Sequence, residues 1–288
     1  MYAIGNWNGW GVMALACGTV CQPEEVRRVV RYFPSSTKPA LVGTDAGNGY
    51  LKGAQSPAGA TALISELVAA ELGTQMCLDI PPFAVVWAIE IDIPMLDHHG
   101  HILPPAFFSK HIEGVPSDGT DEFVKRLDDP NDLARLIVFD TWIRNGDRCF
   151  PTEAEGVYNL NRDNLLFETL GDRLYRLAPI DHSHCIVDVQ FDTAELRDQA
   201  LIRDENVYGF FPEFRPYISA GAVAEAVQAM LSINRAALDE IVNSVPPEWG
   251  LGAQERLDLA SFFEQRADFL AQSLPMKLVE QPMLRNMP

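Results

Sequence analysis

Basic residues are scarce in this chain: 22 Lys and Arg stand against 40 Asp and Glu, a formal net charge of −18. Nucleic acid is therefore disfavoured as the main partner, because phosphate contacts need a cationic surface. Polybasic attachment to acidic lipid is disfavoured for the same reason. A single nucleotide is still compatible, since a few cations, backbone amides and a divalent ion can hold it. Cysteine is sparse as well. Cys17, Cys21, Cys77, Cys149 and Cys185 are odd in number and contain no CxxC pair, which argues against a disulfide framework and against a zinc site at Cys17 and Cys21. Long apolar runs are missing, and the opening MYAIGNWNGWGVMALACGTVCQ lacks a basic leader and is too polar to span a bilayer. A cytoplasmic protein without a membrane span is the expectation. No GxSxG, HExxH or dinucleotide fingerprint is present, so hydrolase, zinc-protease and Rossmann readings have no support.

What is present is ample core material, 47% hydrophobic over 288 residues, enough for one large or two small domains. Pro23 and the spacing of Val26, Val29 and Val30 predict a short helix. PSSTKPALVG and GYLKG, split by TDAGNG, predict antiparallel strands with Asn48-Gly49 as the turn. TALISELVAAELG predicts a helix with Leu63, Leu67 and Ala70 on one face, Thr61 as cap and Gly73 at its end. PPFAVVWAIEIDI and FFSKHIEG read as strands. From Asn131 onward the pattern is mainly helical: LARLIVFDTWI, AGAVAEAVQAMLSI, NRAALDEIVNSV and QERLDLASFFEQRADFLAQSL, interrupted by strands at LLFE and LYRLAPI. The expected fold is α+β and bilobal, with a β-rich first lobe, a larger helical second lobe and a boundary within residues 113–121. A nucleotide would lie between them.

The chemistry concentrates in FDTWIRNGDR, DNLLF and LAPIDHS. They place Asp147, Asn164 and Asp181 at the ends of apolar segments, in the order a phosphoryl-transfer site needs. One carboxylate would orient a hydroxyl, while an amide oxygen and a second carboxylate would hold magnesium. Each alone could be a turn former; the ordered trio is harder to dismiss. Asn159 and Asn161 compete with Asn164, which is favoured because it directly precedes the LLF strand. Upstream, Lys52 ends a strand and Glu66 lies on the next helix, the pairing that holds a phosphate-gripping lysine. Ser35 and Ser36 occupy a turn whose hydroxyls and amides can cradle phosphate. His98, His99 and His101 fall in a polar connection and read as a solvated loop rather than a metal site. Arg148 would position Asp147 or contact substrate, Cys149 reads as a small buried side chain, and His182 as a packed or turn-capping residue. The segment from Asp188 to Tyr217, where a substrate loop would fall, carries no legible pattern.

In this order SSTKPALV, YLKG, ISELVAAELG, FDTWIRNGDR, DNLLF and IDHS resemble the HipA-like kinases, distantly similar to the phosphatidylinositol 3- and 4-kinases within the protein-kinase-like fold. The resemblance spans about Val26 to Leu274. It implies an extension over residues 1–25, a nucleotide-binding lobe over 26–114 and a catalytic helical lobe over 115–288. It further implies ATP and Mg2+ as cofactors, with Lys52 on the phosphates and Glu66 orienting it. Asp147 would be the catalytic carboxylate, Asn164 and Asp181 the magnesium ligands, and His111, Ile112 and Glu113 the adenine-contacting hinge. The implied acceptor is a protein Ser or Thr, with a lipid or small molecule left open. One departure stands out: CFPTEAEGVYNLNRD separates Asp147-Arg148 from Asn164, where relatives have only a few residues. That insert and His182 motivate an alternative, a catalytically weak pseudokinase acting as a nucleotide-binding or scaffold module. A toxin role in a toxin–antitoxin pair is a third reading, weakened because HipA toxins are longer than this chain.

Overall fold

A computed structural model of the protein describes residues 22–152, 157–171 and 173–279. Cys17, Cys21 and most of the expected 1–25 extension lie outside the described residues. The first element is a strand, β1 (Val26–Tyr32), not the expected helix. Its pairing with β2 (Ala40–Thr44) contains two register shifts, between Val26 and Arg28 and between Val29 and Arg31. Bulges of this kind add a residue to one strand and turn a period of two toward a period of three. That is why Val26 and Val29 share the inward face and imitate helical spacing in the sequence.

β2 and β3 (Gly47–Lys52) form the expected hairpin, but Thr44 pairs with Gly47, so the turn is Asp45-Ala46 and not Asn48-Gly49. Thr44 holds it, accepting from the Ala46 N–H and donating to the Gly47 carbonyl. Gly49 is needed inside the strand for another reason: a Cβ there would sit 2.2 Å from the Phe108 ring. Helix α1 (Gly59–Gln75) follows, then β4 (Phe83–Val86) and β5 (Ala106–Lys110). The sheet order is β1-β2-β3-β5-β4, antiparallel throughout. The strand expected over PPFAVVWAIEIDI shortens to four residues because Val86 pairs with Ala106, and Pro104 and Pro105 just before it have no N–H to extend the ladder.

α1 differs from its sequence reading in two ways. It is buried on every side from Ala62 to Gly73, so Leu63, Leu67 and Ala70 do not define a single inward face. Gly73 does not close it either; the helix runs on to Gln75, and a Cβ at Gly73 would meet the Ile80 side chain at 2.7 Å. Nor does Thr61 cap it, since the cap position is Ala58.

The chain leaves the first sheet after Lys110 and enters a second at β6 (Gly114–Pro116). Helix α2 (Asp132–Trp142) then leads into a small hairpin, β7 (Cys149–Pro151) with β8 (Tyr158–Leu160), and a larger one, β9 (Leu165–Thr169) with β10 (Tyr175–Pro179). The second sheet runs β10-β9-β6. Two short helices, α3 (Thr193–Leu196) and α4 (Gln199–Ile202), precede the expected helices α5 (Ala220–Ser232), α6 (Arg235–Asn243) and α7 (Ala253–Val279). Ser219 and Asn234 cap α5 and α6 by accepting the N–H groups of Ala222 and Ala237.

The larger core runs from α1 and one face of β4 and β5 through α2 into α5, α6 and α7. A smaller core, with Val42, Leu51 and Phe108, fills the other face of the first sheet. α1 is thus clamped between the sheet and the C-terminal helices, and Trp249 Nε1 donates to the Pro105 carbonyl at 2.9 Å across the same junction. Among the described residues no helix is long and apolar enough to cross a membrane.

Candidate active site

β3 ends at Lys52 because its pairing with Phe107 of β5 ends there, which holds the side chain over the C-terminal half of the molecule. Lys52 Nζ donates to Glu66 of α1 and, at 2.9 Å, to Asp181 Oδ1. Burial disfavours charge on this lysine, but Asp181 and Glu66 outweigh it and hold the ammonium above its ordinary range. The two carboxylates differ in turn. Burial, aided by Asp181, pushes Glu66 up to about 7. Burial also works against Asp181, yet Lys52 and the Ser183 hydroxyl hold it well below the usual carboxylate range. Asp181 is therefore held as an anion at neutral pH. Its backbone lies in the left-handed region, at φ 55°, a conformation that a non-glycine residue keeps only where its surroundings enforce it.

The antiparallel register explains how Asn164 reaches this place. Leu165 pairs with Pro179, so Asn164 and Ile180 leave the β9–β10 hairpin side by side, and Asp181 follows directly. The Ile180 N–H donates to the Asn164 carbonyl at 3.1 Å. Asn164 is buried, and its Nδ2 donates to Asp147 Oδ2 at 3.1 Å. Of the three competing asparagines it is the one whose side chain meets Asp147; Asn159 lies exposed in β8. The insert that separates Arg148 from Asn164 folds back on itself. β7 pairs with β8, and the Asn161 N–H donates to the Arg148 carbonyl at 2.8 Å, so the chain returns to where it left. Residues 153–156 at its tip lie outside the described residues.

Arg148 points into the interior, not into an open cleft. Its side chain is fully buried, paired through Nε with Asp140 at 2.7 Å. The remaining guanidinium nitrogens donate to the Asn164 carbonyl, to the Ile180 carbonyl at 3.5 Å and to His182 Nε2 at 3.1 Å. One side chain therefore ties α2 to both strands that present Asn164 and Asp181. His182 is packed, edge-on to Phe139 with ring centroids 5.6 Å apart, and burial with the Arg148 charge holds its pKa well below the usual imidazole value. It is neutral and accepts from Arg148.

Asp140 and Asn145 are the site residues that sequence reasoning missed. Asn145 Nδ2 donates to Asp140 Oδ1 at 3.0 Å, and its own Oδ1 accepts the Asp147 N–H at 3.3 Å. Gly209 seals this cluster at φ 70°, where a Cβ would lie 2.3 Å from Asp140 Oδ2. The only signal available was an acidic residue inside an apolar helix, Asp140 in LIVFDTW, which demands a buried partner.

Ser35 and Ser36 occupy the β1–β2 turn, where Ser36 Oγ lies 2.7 Å from His184 Nε2. His111, Ile112 and Glu113 form the link between β5 and β6, and the His111 N–H donates to the Asn48 carbonyl at 2.9 Å. Cys149 is buried, its thiol pushed up to about 12 by burial and the nearby Asp140 charge, so it is inert. His101 pairs with Asp92, His99 is exposed, and the side chain of His98 lies outside the described residues. Among the described residues no group of three or more His, Cys, Asp and Glu could hold a metal. Asn164 and Asp181 offer two hard oxygen donors. This set suits magnesium, which keeps waters and takes phosphate oxygens to complete its shell. The hydrogen bonds from Lys52 and Ser183 both fall on Asp181 Oδ1, and Asn164 gives its Nδ2 to Asp147, so Asp181 Oδ2 and the Asn164 amide oxygen are the atoms that would hold the metal.

A protein-family model described as HipA-like kinase matches residues 26–274. Among solved structures, the chain is similar in fold to the Helicobacter pylori proinflammatory kinase CtkA. The TM-score is 0.53 at 13% identity, over 90% of this chain and 98% of that one. No curated protein matches the chain.

Proposed function

The chain belongs to the HipA-like kinase family, and from that premise we propose that it is an ATP- and magnesium-dependent kinase that passes the γ-phosphate to a hydroxyl, that of a protein Ser or Thr. The observation that carries this reading is the meeting of Lys52 with Glu66 and Asp181 beside the Asn164–Asp147 pair. Lys52, steadied by Glu66, aligns the phosphates of ATP. Ser35, Ser36 and the amides of their turn cover them from above. The adenine lies against the 111–113 link; because the His111 N–H is already engaged, the base meets its carbonyl and the backbone of Ile112 and Glu113. Magnesium, held by Asn164 and Asp181, would supply charge neutralisation at the β- and γ-phosphates. Asp147, oriented by Asn164 and Asn145, accepts the proton of the attacking hydroxyl as the γ-phosphoryl group moves to its oxygen and ADP leaves.

Two features motivated a nucleotide-binding module without turnover: the insert and His182. Among the described residues the insert closes at Arg148, and the His182 ring is buried against Phe139. Catalysis is the better-supported reading. The test is Asp147→Asn, which removes the proton acceptor and keeps the shape. Turnover should fall about 10²- to 10⁴-fold while ATP affinity stays within about twofold. Wild-type protein that forms no ADP from ATP and magnesium overturns the proposal.

A further inference from the structure

A cavity of about 550 Å³ opens beside the site, lined by neither Lys52, Ser35 nor the 111–113 link, and bordered by His184, which meets Ser36 of the β1–β2 turn. One wall is the first turns of α1, with Ala58 and Thr61. Its near end is formed by Gly146, the chain neighbour of Asp147, and by Ser183, whose hydroxyl donates to Asp181 Oδ1 at 2.5 Å. Its far end carries Arg144, Asp188, Asp204 and Tyr208, so one cation faces two carboxylates.

The two carboxylates are not equivalent. Asp204 is saturated: it accepts from Arg144 Nε at 3.2 Å, the Tyr208 hydroxyl at 2.6 Å and the Asn206 N–H at 3.0 Å. Asp188 meets Arg144 at 3.2 Å, yet its side chain is 64% exposed. It has room for a second cation. The buried Tyr208 stacks on Phe150 at 5.1 Å with the rings 17° apart, and the half-buried Phe150 lines the cavity as an apolar neighbour for the stem of a long cationic side chain. Asp188 is held in place from behind, because the Val189 and Gln190 N–H groups donate to Glu195 at 3.2 and 3.1 Å.

We propose that this cavity receives the phosphate acceptor and selects a polypeptide whose hydroxyl residue is flanked by a cationic side chain seated between Asp188 and Phe150. The proposal rests on the kinase reading and adds the acceptor class to it. In the transfer, the acceptor oxygen bonds to the γ-phosphorus, the bond to the β-phosphate oxygen breaks, the hydroxyl proton passes to Asp147, and ADP departs.

The experiment uses the full chain with magnesium and ATP, and two serine peptides of equal length, one with arginines flanking the serine and one with glutamates there instead. ADP formation is followed alongside phosphate incorporation. The arginine peptide should be used about tenfold better in kcat/KM. Asp188→Asn should raise its KM about five- to tenfold with kcat unchanged. Thr61→Trp, which fills the cavity, should abolish peptide transfer while thermal stabilisation by magnesium–ATP persists. Should Thr61→Trp fail to fold, Asp188→Asn, an exposed position, carries the test alone. Equal use of the two peptides, an unchanged KM in Asp188→Asn, or ADP formation without transfer to either peptide overturns the acceptor proposal and leaves the kinase reading standing. Absence of ADP formation overturns both.

Discussion

Arg148 and Asp140 form an ion pair at 2.7 Å in which neither side chain meets solvent. Around it, Asn145 hangs from Asp140 and holds the Asp147 amide, while Arg148 reaches the carbonyls of Asn164 and Ile180. The pair is therefore the common support of the three side chains proposed to carry out transfer. Being buried, it is costly to break from one side only.

Arg148→Met should accordingly destabilise the protein by about 3–5 kcal/mol, since it leaves the Asp140 carboxylate buried and unpaired. Adding Asp140→Leu should recover part of that loss, although kinase activity should stay low because Asn145 and Asn164 lose their support. Urea denaturation of the single and double variants measures the stability. A double variant no more stable than the single one would show that the orphaned charge is not the source.

The tip of the β7–β8 hairpin should be dispensable for the site. Because the Asn161 N–H bonds to the Arg148 carbonyl, replacing residues 152–157 with Asn-Gly leaves a tight hairpin and the same exit point. ATP binding and ADP formation should stay within about threefold of wild type. A loss of 100-fold or more would mean that the insert itself takes part in binding or transfer.

Asp181→Ala and Lys52→Met should separate metal from phosphate contacts. Without Asp181 the magnesium dependence of nucleotide affinity should flatten, whereas without Lys52 it should persist on a weakened baseline. Titrating ATP with and without magnesium against both variants distinguishes the two roles. Identical magnesium responses would refute the assignment of Asp181 as a ligand.

The pH dependence of stability should carry a signature of His182. Its folded pKa lies well below 6.5, while in the unfolded chain it is ordinary. Below about pH 6.5 the unfolded state thus binds a proton that the folded state refuses, so stability falls as pH drops and is unaffected above. One such group contributes at most about 1.4 kcal/mol per pH unit. Thermal denaturation between pH 5 and 8 should show a shallower acid decline in His182→Asn than in wild type. Equal slopes would mean that the imidazole is charged in the fold.

Gly209 should tolerate no side chain. At φ 70°, with a Cβ only 2.3 Å from Asp140 Oδ2, Gly209→Ala combines backbone strain with a clash against the buried pair. A loss of about 1–3 kcal/mol from the backbone alone is expected, read as a lower midpoint in the same urea experiment. A neutral outcome would show that the 204–211 segment can move away from Asp140.

The order of residues along the chain singles out the side chains proposed to carry the chemistry. Lys52, Asp147, Asn164 and Asp181 stand at the ends of apolar runs, where hydrophobic patterning stops, and Glu66 is an acidic residue inside one, on the buried helix α1. The same order also determined the C-terminal helices, whose Ser219 and Asn234 caps are written beside them. Tertiary structure decided the rest. Bulges made β1 from a helix-like spacing, Phe108 put Gly49 in a strand instead of a turn, and packing from two sides buried α1 all round. The Leu165–Pro179 register set Asn164 beside Asp181, and Arg148 turned inward because Asp140, eight residues earlier, was waiting in the core. Local periodicity records which residues avoid water, but it does not record which partner excludes the water, and that is settled only when distant segments meet.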